Sequence, residues 1–139
     1  MSKQISRPSG APAPTTATLV DGTALVLEPL AIEIARRYAV SYPDEADRYS
    51  PEWRDWCIHD NQHILRWALD AQQGLVDLSR EISWLARILE ARGFPLDRLS
   101  RNLVHAADVL VEHVGSAGHE SASALRATAD RVKTTGSFL

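Results

Sequence analysis

Residues 53–67 read WRDWCIHDNQHILRW, and this stretch decides the fold. It holds three of the chain's four tryptophans and two of its five histidines. Trp53, Cys57, Ile64, Trp67, Ala68 and Ala71 recur at helical steps, which draws one apolar stripe along a long helix. The preceding YSPEW announces its start: Ser50 as N-cap, Pro51 at the first helical position and Glu52 in the first turn. The helix is expected to run to Gln73, where Gly74 takes the left-handed cap. Asp60 falls inside the stripe, so its carboxylate needs a partner or a place near the edge of the core.

The same periodicity continues on both sides. Leu27, Leu30, Ile34 and Tyr38 mark an earlier helix from about Leu25 to Tyr42, which Pro43 ends because the residue before a proline disfavours helical angles. PDEADRYS then leaves room for a short extra turn. Downstream, Leu78, Ile82, Leu85 and Leu89 form the stripe of a helix from about Leu78 to Arg92, with Asp77 as cap and Gly93 as stop. Trp84, Ile88 and Ala91 project from its opposite side. A helix apolar on two faces is central, or it carries a partner-facing surface. GFPLDRL restarts the chain with Pro95 at N1, and a helix follows to about Val114 on Leu96, Leu99, Leu103, Ala107 and Leu110. GSAG breaks it, and a shorter helix covers about Glu120 to Val132. No segment reads as a convincing strand. The fold class is all-α, a single-domain bundle of about five helices with antiparallel neighbours set by short links.

Domain limits follow from composition. Residues 1–22 are rich in Pro, Ser, Thr, Gly and Ala, which suits a flexible N-terminal arm. Residues 23–133 form the bundle, and residues 134–139 a fraying tail. A length of 139 residues fits one core, and a net charge of −3 gives no basic stripe for a nucleic acid. No stretch approaches the ~18 apolar residues of a membrane span, and the N-terminus has no signal-like apolar run. The lone Cys57 forms no internal disulfide and suits a reducing cytoplasm.

The histidines and tryptophans carry the candidate chemistry. With Ile64 at the centre of the buried face, His59 and His63 fall roughly 100–140° away, on one flank with Trp56, Arg66 and Asp70. Their four-residue spacing can chelate a metal from one helical face, yet a stable site needs a third and usually a fourth ligand. HDNQH lacks the glutamate of HExxH, and no Glu-x-x-His pair marks a di-iron bundle. No metal is therefore expected, and the imidazoles are most simply hydrogen-bonded or solvent-facing. No nucleophile elbow or phosphate loop occurs, so no catalytic residue is assigned. Cys57 is most simply a small core filler. Trp53 and Trp67 are most simply core. Trp56 and Trp84 lie off the stripes; each packs under a neighbour, rims a pocket or faces a second copy.

RYAVSYPDEADRYSPEW, then a helix containing Asn61, then SWLARILEARGFPLDRLSRNLVHAADVL resembles the N-terminal helical domain of the RsbT co-antagonist regulators of the stressosome. The likeness covers roughly residues 25–115. It implies a sensory or interaction module without catalysis of its own, like the domains that precede the output domains of some transcription regulators. This chain departs from that pattern in showing no output domain after the helices. The length and LARILEARGF are also similar to sensor globins. In that likeness the haem-ligating position falls on Leu89, which cannot bind iron, so only a non-haem, globin-like relative fits.

Two functions stand in order. The first is a non-catalytic signalling module that binds a regulatory protein or small ligand as a homodimer, with Trp84 and Ile88 on the interface. The second is a carrier of a tetrapyrrole, flavin or lipid, in a pocket lined by Trp56, Asp60, His63 and Trp67.

Overall fold

A computed structural model describes residues 12–139 of the chain. In order, the elements are β1 (Thr16–Thr18), β2 (Ala24–Val26), α1 (Glu28–Ser41), α2 (Glu45–Arg48), α3 (Trp53–Gln72), α4 (Leu78–Ala91), α5 (Leu96–Val114), a single 3-10 turn (Gly115–Gly118) and α6 (His119–Thr135). Among the described residues the architecture is an all-α bundle of five long helices, one short α-helix, one 3-10 turn and a minimal hairpin. Among the described residues no helix is long and apolar enough to cross a membrane.

Two helices hold the bundle together. α5 packs against α1, α3, α4 and α6, and α3 touches all four of its long neighbours as well as β1. Their stripes explain this: Leu103, Val109 and Leu110 of α5 and Ile64, Leu65 and Leu69 of α3 are almost wholly buried. They meet Leu27 and Ile34 from the first helix region, Ile82 and Leu85 of α4, and Leu125 and Val132 of α6. Each such side chain contributes about 1.5–3 kcal/mol by leaving water. α4, apolar on two faces, sits at the side of the bundle with Trp84 exposed.

Several boundaries differ from expectation. The flexible arm assigned to residues 1–22 includes residues that are ordered: Thr16–Thr18 pairs antiparallel with Ala24–Val26, and Ala17 and Leu19 are buried. Residues 1–11 lie outside the described residues. The hairpin turns at Asp21-Gly22, where Gly22 has φ +87° and Asp21 accepts the Thr23 N–H at 2.9 Å. Polar side chains of α3 and of its C-cap residue hold it down. Gln62 Nε2 donates to the Pro14 carbonyl at 3.2 Å, Arg66 Nη1 to the Thr16 carbonyl at 3.0 Å, and Gln73 Nε2 to the Thr18 carbonyl at 2.6 Å.

The start of α3 is also corrected. Residues 51–52 form a turn, Glu52 occupies the cap position without a side-chain bond, and Ser50 Oγ is buried with no hydrogen-bond partner. Ser50 therefore does not cap. Asp77 does cap α4, accepting the Arg80 N–H at 3.2 Å. Pro95 is the cap residue of α5 rather than its first helical residue, with ψ 128°. The tail assigned to 134–139 is partly docked: α6 reaches Thr135, Phe138 packs on the core, and its N–H donates to Glu90 Oε1 at 2.7 Å.

Candidate functional site

On the face of α3 that carries residues 53, 56, 57, 60, 61 and 64, the bundle leaves a partly open cleft of about 250 Å³. These positions follow the three- and four-residue steps of one helical face. Aromatic rings dominate its wall. Trp53 and Trp56 come from α3 and Tyr38 from α1; Tyr49 and Phe94 come from the links on either side. Trp53 lies 5.9 Å from Tyr38, and Tyr49 lies 5.8 Å from Phe94, both pairs tilted. Leu85 and Leu89 of α4 and Leu99 of α5 complete the apolar surface.

Polar groups enter at few points. Asn61 and Asn102 also line the cleft and form a reciprocal amide pair across α3 and α5, at 3.0 and 2.9 Å. Asn61 Nδ2 also reaches the Cys57 carbonyl at 2.9 Å. Both asparagines are buried, so this pair satisfies amides that are costly to leave unpaired. Glu45 of α2 is 3% exposed. It accepts the Tyr38 hydroxyl at 2.7 Å and pairs with Arg98 of α5. Arg98 also bonds Asp44 at 2.9 Å and stacks 4.3 Å over the Tyr42 ring. Burial and the bond to Glu45 raise the Tyr38 hydroxyl pKa, so the phenol remains a donor. Burial, then the charges of Asp60 and Glu45, raise the Cys57 thiol, which makes it a poor nucleophile at neutral pH.

The four candidate ligand residues separate into two groups. Trp56 and Asp60 line the cleft; His63 and Trp67 do not. Those two belong instead to a ring series along the helix. His59 and His63 lie 4.8 Å apart, His63 and Trp67 5.6 Å, and Trp67 meets Trp84 edge-on at 6.4 Å. His59 is buried with Nδ1 3.3 Å from Asp60 Oδ1. Among the described residues no three His, Cys, Asp or Glu side chains are grouped to hold a metal ion. Trp84 is 39% exposed, and Ile88 beside it is half-buried. Leu89 of α4 stands on the cleft wall.

Sequence reasoning missed Tyr38, Glu45 and the asparagine pair as cleft residues. Only Asn61 carried a local signal, a polar residue next to an apolar stripe. No family model matches the chain, and neither curated proteins nor solved structures gave a match.

Proposed function

We propose that the chain is a non-catalytic sensor module that takes a small, largely apolar ligand into the aromatic cleft and passes its occupancy to a regulatory protein. The observation that carries this reading is the cleft itself, a partly open space walled by aromatic rings with a few fixed polar groups. Its volume of about 250 Å³ sits below the ~300–1,000 Å³ of drug-sized pockets, which favours a guest smaller than a tetrapyrrole or flavin. Transmission would run through α2, whose Glu45 touches the cleft and ties it to α1 and α5. The likeness to stressosome regulator domains agrees with such a role.

Ligand-detected NMR with a library of small aromatic fragments tests the reading. Fragments bind the wild type, and Trp56→Ala weakens them about tenfold, the share of one stacked ring. An empty screen, or binding that Trp56→Ala leaves untouched, removes the proposal.

The reading includes self-association through the α4 face. Its support is Trp84, the aromatic residue among the exposed large hydrophobic side chains of the described chain. Light scattering on wild type and Trp84→Glu decides it: a dimer that becomes a monomer agrees, and two monomers refute it.

A further inference from the structure

We infer that a second copy of this chain covers the α4 face in one defined arrangement: the two α4 helices run parallel along a two-fold axis, Trp84 against Trp84, with Arg80 of each facing Glu81 of the other. This deepens the self-association reading and rests on it. The helical period lays out the face. Leu78, Ile82, Leu85 and Ala86 turn inward and are buried. Arg80, Trp84 and Arg87 are exposed, and Glu81 and Ile88 are half-buried beside them. At about 100° per residue, Arg80 and Arg87 lie ~40° and ~60° to one side of Trp84, and Ile88 and Glu81 lie ~40° and ~60° to the other. Trp84 is the anchor, 39% exposed and already steadied by its edge-on contact with Trp67 at 6.4 Å. A held ring loses little freedom when a partner covers it.

Charge decides how the copy sits. A two-fold contact must be complementary to itself. In a parallel pair, residues at nearly equal height on opposite flanks meet across the seam. Arg80 then meets the partner's Glu81, and the reverse contact repeats it. Arg87 lays its apolar stem along the partner's Ile88, and its guanidinium stays in water. The indoles meet at the axis. An antiparallel pair centred on Trp84 instead joins residues of the same flank at equal distances from the centre. Arg80 would face Arg87 twice and Glu81 would face Ile88, which sets like charges together and leaves the carboxylate without a cation. Among the described residues, the side chains of Arg80 and Glu81 enter no ion pair within their own chain. Both are therefore available to a partner. A uniformly acidic partner would meet Glu81 and a uniformly basic one Arg80 and Arg87; at these positions a parallel second copy meets no like charge.

Sedimentation equilibrium of the full chain over a concentration series tests the arrangement. Arg80→Glu and Glu81→Arg, each alone, should weaken the dimer about tenfold, because each turns two attractive contacts into two repulsive ones. Mixed in equal amounts, the two variants should pair with each other at wild-type strength. Circular dichroism verifies that each is folded; Arg80→Asp and Glu81→Lys carry the same charges and replace a variant that is not. Arg80→Glu that tightens the dimer marks the antiparallel arrangement. That result, single variants that dimerise like wild type, or a mixture that stays monomeric overturns the inference, and a dimer that Trp84→Glu dissociates leaves the α4 face standing. A wild type that is monomeric throughout, or a dimer that Trp84→Glu leaves intact, overturns both.

Discussion

Replacing Arg98 with methionine probes the linkage between the cleft and the bundle. Arg98 is 13% exposed and its main partner, Glu45, is 3% exposed. Methionine keeps the length and apolar stem but strands a buried carboxylate, which costs about 3–5 kcal/mol. The second arm, to Asp44, adds little, because that carboxylate is 52% exposed and solvent-screened. Loss of the stack over Tyr42 adds about 0.5–1 kcal/mol, partly offset by methionine packing in the same place. The total is about 3–5 kcal/mol, or a fall in Tm of roughly 10–15 °C for a domain of this size. Urea and thermal unfolding followed by circular dichroism measure it. Glu45→Gln removes the charge yet still accepts from Tyr38 and Arg98, so it costs about 1–2 kcal/mol. The double variant should cost at least ~1.5 kcal/mol less than the sum, since the uncharged partner no longer needs the guanidinium. A loss below ~1 kcal/mol for Arg98→Met, or strict additivity, would refute the claim that this pair is buried and coupled.

Acid should weaken the fold in two stages. Burial, aided by Arg101 and Arg37 against Asp108, holds the His105 pKa below its ordinary 6.5, so the unfolded chain takes up the proton first and stability declines as pH falls below about 6.5. His105→Gln should flatten that part of a Tm-against-pH curve, and an unchanged slope would count against it. Hydrogen bonds from Arg36 and Arg37 hold Glu33 down to about 2, so its contribution is present above 4.5 and is lost as pH falls from 4.5 through about 2; Glu33→Gln should remove this second decline. Ser50→Ala should leave stability unchanged or raise it by up to about 1 kcal/mol, because it deletes a buried hydroxyl with no partner. A loss of ~1 kcal/mol in urea titration would restore Ser50 as a helix cap. Asp77→Ala, by contrast, should cost about 1 kcal/mol in the same assay, and a neutral result would deny the cap on α4.

The helices were legible because each buries one face against the rest, so the leucine and isoleucine spacing records the burial directly. α3 through α6 appear within a few residues of the expected limits. The hairpin was not legible: strands of three residues are too short to show alternation, and proline- and threonine-rich flanks resemble a linker. What orders it is remote, the side chains of Gln62, Arg66 and Gln73. The candidate site was half legible for a geometric reason. Trp56, Asp60, His63 and Trp67 do share one flank, but the cleft is built on α3 residues 53 to 64: His63 lies about 100° round the helix from Ile64, and Trp67 lies beyond Ile64 and meets Trp84 edge-on. The cleft therefore takes the first two and leaves the others in the ring series that ends at Trp84. Glu45, Asn102 and Tyr38 come from distant segments, and nothing in their immediate surroundings announces that they converge.

The asparagine pair between α3 and α5 acts as a key in a keyway. Each amide gives the proton the other accepts, so any slippage of one helix along the other forfeits both bonds at once. Sliding by one turn, about 5.4 Å, would bring different side chains opposite and orphan two amides in a dry interior. The two central helices are thus confined to a single alignment, and motions accompanying a guest must be sought in the peripheral α2 and α4. Positions 61 and 102 accordingly tolerate exchange only as a matched couple: two leucines could replace them, whereas one leucine facing one asparagine could not.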